Sequence, residues 1–172
     1  MVLSEKIVNT DKFGGIVDII TGIEDFEHTC TFDEEWHCFK YDGRILPSVT
    51  KILDDGSYDN INPEILKRAC ERGKLIHKEI EMYLKYAENG FTDEFYEFLN
   101  IYTEEQEKFK EKAIFDIKTF AIASKKNREK CLKQEKMYAE AIKFLTGEKI
   151  EKFYMIHLPK NKKGKLINLE EE

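Results

Sequence analysis

Hydrophobic positions along the chain follow two different spacings, and these predict an order of strands and helices. Apolar runs over residues 2–8 and 15–21 predict two strands joined by the turn NTDKFGG, which together would form a β-hairpin. The segment HCFKYDGRILPSVTKIL predicts a short strand pair around Asp42 and Gly43, followed by a Pro-Ser turn. The runs IEKFYMIHLP and KLINLEE predict a C-terminal hairpin across a basic loop.

Three longer segments carry apolar residues at the spacing of a helix face. The first, INPEILKRACERGKLIHKEIEMYLKYAENG, is predicted to begin at Asn62–Pro63 and to end at Gly90. The third is predicted to run from Ser124 to Leu145 and to close at Gly147. The second is TDEFYEFLNIYTEEQEKFK, whose inward-facing residues are expected to be Phe95, Phe98, Leu99, Tyr102 and Phe109.

The strand KAIFDIKTF lies between the second and third predicted helices. The mixture of strands and helices predicts a single α/β or α+β domain over residues 1–172, with a small mixed sheet flanked by helices. Residues 1–25 are expected to form an N-terminal hairpin and residues 26–110 a largely helical segment. Residues 111–172 would contribute the strand KAIFDIKTF, the third helix and the C-terminal hairpin.

Composition and charge limit the class of protein further. With 172 residues, of which 41% are hydrophobic, the chain is large enough for a hydrophobic core. No apolar run reaches the length of about 18 residues that a membrane span needs. The first residues also lack the basic and apolar segments of a secretion signal. We therefore expect a soluble cytoplasmic protein. The four cysteines include no CxxC pair, which argues against a zinc or iron–sulfur site. A net charge of −6 opposes tight non-specific binding to nucleic acid.

Two local basic clusters, KKNREK at 125–130 and KNKKGK at 160–165, stand against this acidic balance. Each would suit contacts to phosphate groups. A solvated face or loop is the commoner explanation for such runs, so both interpretations stay open.

Three charged residues interrupt strand-like runs that are otherwise apolar. Asp18 lies in GGIVDII, and Asp116 and Lys118 lie two residues apart in IFDIKT, so they share one face of a strand. Charges in such strands are costly unless they pair or bind something. A simple ion pair would explain Asp116 and Lys118, but Asp18 has no obvious local partner. Two carboxylates brought together favour a divalent cation such as Mg²⁺ or Mn²⁺, which with a nearby lysine could hydrolyse a phosphodiester bond.

Two of the predicted helices add polar residues at a spacing of four. His77 and Glu81 share a face of the first helix, where Gly73 would let the helix approach the sheet closely. A histidine in such a place can also be purely structural. Gln134 and Tyr138 share a face of the third helix, and a core-facing glutamine can bind a ligand or merely cap a backbone group. Gln134 is expected in an apolar stripe made of Cys131, Tyr138, Ala141, Ile142 and Leu145.

Together these segments resemble the PD-(D/E)XK nuclease superfamily, in particular its RecB-type and phage exonuclease-like branch. RGKLIHKEIE looks like the R-G-x-x-x-H helix motif of that branch, and GGIVDII looks like its G-x-x-D strand. IFDIKT looks like its D-x-K-T strand, and QEKMY looks like its Q-x-x-x-Y helix motif. HCFKYDGRILPSVTKIL resembles a segment found upstream of the histidine helix in phage members. The resemblance implies a restriction-endonuclease-like core.

The resemblance also implies a role for each matching residue. Asp18 and Asp116 would bind Mg²⁺ or Mn²⁺. His77 and the backbone carbonyl of Ile117 would complete the ligand set, and His77 would count among the catalytic residues. Lys118 would position and activate the attacking water. Residues that would support the site or contact DNA are Gln134, Tyr138, Glu81 and Glu5.

The order of the motifs departs from that of the family. There the histidine helix comes first, and the G-x-x-D and D-x-K strands follow as a hairpin; here the G-x-x-D strand precedes the histidine helix. A circular permutation, natural or engineered, explains this order, and a domain-swapped chain would look the same. Permutation is tolerated where the termini of a domain lie close together.

The implied function is that of a metal-dependent deoxyribonuclease, an exonuclease by analogy, acting in phage or bacterial recombination or repair. Its partners would be DNA and a recombination or phage protein, and if phage-encoded it would act in the host cytoplasm. The alternative is a non-catalytic protein- or DNA-binding module on a nuclease scaffold. In a third interpretation, D-x-K is a structural ion pair in an ordinary α/β domain.

Overall fold

Eight strands and five helices form from the part of the chain that the computed structural model describes. That part comprises residues 8–10, 16–18, 30–33, 38–41, 44–54, 56 and 60–171, and its first four strands are described by their backbone. None of the helices in this part is both long and apolar enough to cross a membrane. The elements are β1 (Val8–Thr10), β2 (Ile16–Asp18), β3 (Cys30–Asp33), β4 (Cys38–Tyr41), β5 (Arg44–Pro47), α1 (Val49–Ile52), α2 (Pro63–Tyr86), α3 (Asp93–Glu104), α4 (Gln106–Phe109), β6 (Ala113–Lys118), α5 (Lys125–Thr146), β7 (Lys152–His157) and β8 (Lys165–Asn168).

The chain divides into two compact units, and the first, Met1–Gly56, consists of antiparallel strand pairs and α1. β1 pairs with β2, which confirms the predicted N-terminal hairpin over its described residues. β4 pairs with β5, and Tyr41 stands opposite Arg44, so the predicted strand pair around Asp42 and Gly43 is confirmed over its described residues. The sequence analysis missed β3, which pairs with β4. Its four residues, CTFD, are too few to show a clear alternation.

A three-stranded mixed sheet lies at the centre of the second unit, Ser57–Glu172. β6 and β7 run parallel, and Lys118 stands opposite His157. β7 and β8 run antiparallel, which confirms the C-terminal hairpin. β7 is the middle strand, and β6 forms one edge of this described sheet. A small mixed sheet with helices is therefore confirmed, while a single domain over residues 1–172 stays a prediction.

The alternation of side chains along β6 separates two apolar clusters, as predicted. Phe115 and Ile117 pack against the cluster contributed by α2, α3 and β7, whereas Ile114 and Phe120 pack against the cluster contributed by α5, β7 and Leu169. Complete burial of one large apolar side chain contributes about 1.5–3 kcal/mol. The buried members of the first cluster are Ile76, Ile80, Phe95, Phe98, Ile101, Tyr102, Ile156 and Leu158. Those of the second are Cys131, Ala139, Phe153, Met155 and Leu169.

Caps at the helix ends follow the predictions except at one position. The Asn62 side chain accepts a hydrogen bond from the backbone of α2, and Ser124 does the same for α5. Gly147 ends α5 in the left-handed conformation, as expected. The prediction that Gly90 ends α2 is wrong, because the helix stops at Tyr86 and Ala87 takes the left-handed cap position with φ 56°.

Gly90 instead allows α2 to hold the start of α3. A Cβ atom at this position would lie 2.8 Å from Cδ of Glu79 and 2.7 Å from Cγ of Phe95, so a side chain would not fit without a shift. The buried carboxylate of Glu79 accepts hydrogen bonds from the backbone N–H groups of Phe91, at 3.1 Å, and Thr92, at 3.4 Å, and from the Thr92 hydroxyl. A negative charge at a helix N-terminus is favourable, so this contact stabilises α3.

Candidate active site

An ion pair between two side chains of β6 is the centre of the candidate site. Nζ of Lys118 lies 2.7 Å from Oδ2 of Asp116, and the two side chains are 22% and 15% exposed. Desolvation acts to lower the pKa of Lys118, but the charge and hydrogen bond of Asp116 raise that pKa above its ordinary value. Lys118 is therefore a firmly protonated ammonium, as the two-residue spacing on one strand face led us to expect.

A polar side chain of α5 completes the surroundings of the Lys118 ammonium. Nζ of Lys118 donates a hydrogen bond of 3.0 Å to Oε1 of Gln134. The amide Nε2 of Gln134 in turn donates one of 2.7 Å to the hydroxyl of Tyr138, four residues further along the helix. The structure thus brings four predicted site residues into one continuous chain of contacts, from Asp116 through Lys118 and Gln134 to Tyr138.

His77 reaches the same part of β6 from α2. The residue is exposed, and the pKa of its ring is influenced by the Ile117 backbone carbonyl and by the charges of Asp116 and Lys118, so the ring lies near this part of the strand. Desolvation lowers the pKa of His77, and the charge of Lys118 acts in the same direction against the opposing effects of Asp116 and the Ile117 carbonyl. The imidazole is therefore biased toward its neutral form, which is the form that binds metal ions.

The backbone of β6 explains how a helix can reach that carbonyl. The carbonyl of Lys118 accepts a hydrogen bond of 2.8 Å from the N–H of Leu158, which follows β7. Because successive carbonyls of a strand point in opposite directions, the Ile117 carbonyl points away from β7. It therefore lies at the edge of β6 that has no neighbouring strand in the described sheet.

The arginine and glycine that precede His77 fix α2 against the end of the same strand. The Arg72 guanidinium donates hydrogen bonds to Glu94 at 2.7 Å and to the Thr119 carbonyl at 2.6 Å. A Cβ atom at Gly73 would lie 3.2 Å from Oγ1 of Thr119, so the close approach expected at this glycine is confirmed. These contacts set the position of α2 one turn before His77, a function of Arg72 that the sequence analysis did not foresee.

The described contacts of the site do not include Glu81, which was also predicted to belong to it. The side chain of Glu81 is 42% exposed and pairs with Lys85 at 2.6 Å and Lys78 at 3.6 Å on its own helix. The hydrogen bond from Lys85 lowers the pKa of Glu81. Asp18 lies in β2 of the first unit, and both its side chain and the whole of Glu5 are outside the described residues. The roles of Asp18 and Glu5 stay predictions.

A buried carboxyl that the sequence analysis missed lies next to Gln134. Glu135 is 0% exposed, and neither of its carboxyl oxygens has a hydrogen-bond partner. Burial raises the pKa of Glu135 to about 9, and the charge of Asp116 adds to this while Lys118 opposes it. Its sequence neighbour Gln134 contacts Lys118, so Glu135 lies on a turn of α5 that faces β6.

The prediction of the buried stripe of α5 is correct at Cys131 and wrong at Tyr138 and Ala141. The buried residues of this helix are Cys131, Glu135 and Ala139, spaced by four, whereas Tyr138 is 37% exposed and Ala141 is exposed as well. Consecutive helix residues lie 100° apart, so a shift of one position moves an acidic residue from the surface to the sheet. The signal for Glu135 was its spacing of four from an apolar residue on either side.

The donor atoms of the site suit a hard divalent cation. Carboxylate oxygens, a backbone carbonyl and a neutral imidazole are ligands that Mg²⁺ and Mn²⁺ accept in proteins, and Asp116, Ile117 and His77 supply one of each. Within the described ranges, no three His, Cys, Asp or Glu side chains form a group arranged to hold a metal ion. His77, Asp116 and Glu135 are all described residues, so these three do not form such a group, and a further carboxylate would have to come from elsewhere in the chain.

Comparisons of the chain with protein-family models, with curated proteins and with solved structures found no match. A function for this protein therefore has to be argued from the residues of the site and their contacts.

Proposed function

We propose that this protein is a metal-dependent deoxyribonuclease with a restriction-endonuclease-like core, which hydrolyses DNA phosphodiester bonds with Mg²⁺ or Mn²⁺. The observation that carries the proposal is the placement of the Lys118 ammonium between Asp116, at 2.7 Å, and Gln134, at 3.0 Å. The strand and the helix that supply these residues carry the D-x-K-T and Q-x-x-x-Y patterns. The lowered pKa of His77, whose ring is influenced by the adjacent Ile117 carbonyl, adds to the same argument.

A purely structural ion pair would need fewer polar groups than this site contains. Partly buried charges cost desolvation energy, and replacing such pairs by apolar residues is often neutral or stabilising. Here the Asp116–Lys118 pair is accompanied by a glutamine, a histidine and a carboxyl without hydrogen-bond partners. Perturbed titratable groups that converge in this way are typical of functional sites.

In the proposed mechanism, Asp116, His77 and the Ile117 carbonyl would hold the cation. Its chemistry there would be that of a Lewis acid for the scissile phosphate and for a bound water, whose pKa it would lower. A lysine ammonium has three N–H donors, of which Gln134 takes one. Asp116 forms an ion pair with Lys118 at 2.7 Å, but its Oδ2 accepts no hydrogen bond in the described structure. We assign a remaining N–H donor to the attacking water or to the charge that develops on the phosphate, where a fixed donor is worth most.

Gln134 and Tyr138 act as positioning residues in this mechanism. The Gln134 carbonyl oxygen fixes the direction of the Lys118 ammonium, and the Tyr138 hydroxyl accepts from the Gln134 amide and so favours this orientation of the amide. Neither residue exchanges a proton in the reaction. Their contribution is geometric, and a displacement of about 1 Å at a reacting group can lower the rate about 100-fold.

An anchored basic loop supports DNA as the substrate despite the net charge of −6. The N–H of Gly164 donates a hydrogen bond of 2.8 Å to Oε2 of Glu97, and a Cβ atom at Gly164 would lie 2.9 Å from Cδ1 of Ile101. The loop between β7 and β8 is thereby held against α3 while its lysines are exposed, as contacts to the phosphate backbone require. These residues are Lys160, Lys162, Lys163 and Lys165.

Cleavage of DNA by the wild type and by Lys118→Ala tests the proposal. End-labelled linear DNA and closed circular DNA are incubated with Mg²⁺, Mn²⁺ or EDTA. We expect cleavage with either cation and none with EDTA, and sparing of the circle would identify an exonuclease. We expect Lys118→Ala to abolish cleavage without unfolding the protein. Lys110→Ala, which removes a surface lysine paired with Glu107 at 2.7 Å, is the matched control and should cut normally.

If the wild type cuts neither DNA with any cation, the proposal fails and a binding module on a nuclease scaffold is favoured. If cleavage persists in Lys118→Ala at the wild-type rate, the assigned role of the Asp116–Lys118 pair is wrong.

A further inference from the structure

His157, the last residue of β7, is a buried polar residue that the mechanism above does not use. It is 6% exposed, and the centroid of its ring lies 5.2 Å from that of Phe120. Nε2 of His157 lies 2.7 Å from the carbonyl oxygen of Phe120. Because a carbonyl can only accept, Nε2 carries the proton of this hydrogen bond. The imidazole thus holds the backbone two residues beyond Lys118.

The ring of His157 lies on the face of the sheet that carries the candidate site. His157 stands opposite Lys118 in the parallel pairing of β6 and β7. Side chains alternate along a strand, and two residues earlier at each step come Met155 and Phe153, which belong to the cluster that α5 covers. His157 is therefore on the α5 side of the sheet, the side on which Lys118 contacts Gln134.

The backbone that follows β6 is held at three successive carbonyls. β6 ends at Lys118, so residues 119 and 120 lie outside the strand pairing. The carbonyls of residues 118, 119 and 120 accept, in this order, from the N–H of Leu158, the guanidinium of Arg72 and the ring of His157. Strand ends open first when the chain beyond them is not held, so these contacts fix the end of β6.

We propose that His157 is a positioning residue of the nuclease site, which holds the Phe120 carbonyl and thereby fixes the direction of the Lys118 ammonium. This inference rests on the proposed function and extends it to a residue outside all the motifs. Packing alone does not account for a histidine here. A buried imidazole costs free energy unless it is hydrogen-bonded, whereas a phenylalanine would fill the same apolar surroundings without that cost.

Two substitutions separate the hydrogen bond from the packing of the ring. His157→Phe keeps an aromatic ring beside Phe120 and loses the donor, whereas His157→Gln offers an amide N–H in place of Nε2–H. We expect the single-turnover cleavage rate to fall about 10-fold or more in His157→Phe and to stay within about threefold of the wild type in His157→Gln. The DNA concentration that gives half of the maximal rate should not change, since the interaction acts on the reacting geometry and not on substrate binding.

A wild-type rate in His157→Phe, or an equal loss of rate in both variants, would overturn the proposal. His157→Leu has the same expected loss and replaces His157→Phe if the larger side chain prevents folding.

The ammonium of Lys118 provides a second measurement, which needs neither cleavage nor metal. Heteronuclear NMR of isotopically labelled protein shows lysine ammonium groups whose protons exchange slowly with water, and Lys118→Ala identifies the signal of Lys118. We expect this signal in the wild type and in His157→Gln, and a large loss of its intensity in His157→Phe. The signal of Lys85, which pairs with Glu81 at 2.6 Å on α2, should be the same in all these proteins.

The two proposals fail differently. A wild type that cuts no DNA overturns the nuclease function, and the NMR comparison still decides whether His157 orders Lys118. Cleavage by the wild type together with an unchanged rate and Lys118 signal in His157→Phe overturns the role of His157 alone. Absence of a Lys118 signal in the wild type would show that the ammonium is not held and would also overturn that role.

Discussion

The amide of Gln134 joins Lys118 to Tyr138: its oxygen lies 3.0 Å from the ammonium of Lys118, and its nitrogen lies 2.7 Å from the hydroxyl of Tyr138. The lysine belongs to β6 and the other two residues to α5, so the geometry of the site depends on how this helix packs on the sheet. Substitutions on the helix should consequently change catalysis without touching the residues that would bind the cation.

Replacement of Gln134 tests this dependence. Gln134→Leu leaves the ammonium of Lys118 without one of its acceptors, so its direction is no longer fixed. We expect the single-turnover cleavage rate to fall about 10- to 100-fold, while Mn²⁺ affinity changes less than threefold. Gln106→Ala, at an exposed position of α4, serves as the control and should cut at the wild-type rate. A loss of stability that accounts for the whole loss of rate would contradict a positioning role.

Tyr138 should act through Gln134 and not independently. Tyr138→Phe removes the hydroxyl that accepts from the Gln134 amide, and we expect the cleavage rate to fall about 3- to 10-fold, less than for the loss of Gln134 itself. Residues that act in one network are not additive. Tyr138→Phe should therefore have no further effect in a Gln134→Leu protein, whereas full additivity of the two changes would rule out the network. Tyr96→Phe on α3 is the matched control.

The stability of the metal-free protein should depend on pH through Glu135. Its pKa is raised from 4.5 to about 9, so between these values the folded protein holds one proton more than the unfolded chain. The free energy of unfolding must then decrease as pH rises through this window, by at most about 1.4 kcal/mol per pH unit. Urea unfolding in EDTA at several pH values measures the slope. Glu135→Gln does not titrate, so its slope should be flatter than that of the wild type; equal slopes would contradict the raised pKa.

Arg72 should matter for stability because it joins three elements. Arg72→Ala removes the hydrogen bonds to the Thr119 carbonyl and to Glu94, and it leaves the carboxylate of Glu94 buried without its cation. We expect the free energy of unfolding to decrease by about 2–3 kcal/mol. The control is Arg68→Ala, whose ion pair with Glu64 is mostly exposed, and it should cost less than about 1 kcal/mol. Similar urea midpoints for both variants would show that the Arg72 contacts contribute little.

Asp18 tests the part of the site that the resemblance alone implies. If Asp18 binds the cation, Asp18→Asn should weaken Mn²⁺ binding by about 10-fold or more while the free energy of unfolding changes little. Wild-type affinity in Asp18→Asn would remove Asp18 from the ligand set. Wild-type affinity in this variant would also mean that the G-x-x-D strand has no part in the site. The permuted order of the motifs would then need no explanation.

Local patterns predicted the elements of the second unit well. The spacing of two residues between Asp116 and Lys118 correctly predicted that they share one face of the strand. Side chains alternate along a strand regardless of what the strand packs against. Asn62, Ser124 and Gly147 were correctly predicted as caps, because capping depends on neighbouring backbone groups. Such features need no knowledge of the tertiary structure.

The wrong predictions all concern which residues contact one another in the folded protein. Gly90 was taken for a cap because glycine favours the left-handed conformation, yet Ala87 adopts it, and Gly90 makes room for Glu79. Glu135 was missed because the rotation of α5 about its axis is fixed by packing on the sheet, and apolar spacing alone allowed a different rotation. Partners distant in sequence decide both features.

The contact between Glu79 and the first turn of α3 has a consequence for the way the second unit opens. The first amide protons of a helix lack partners within the helix and usually exchange with solvent early. Here the amides before α3 are covered by Glu79 of α2, and Glu94 in the first turn is held by Arg72 of the same helix. We therefore expect the start of α3 to open together with α2, so that early exchange of the Phe91 and Thr92 amides would also report movement of the helix that carries His77.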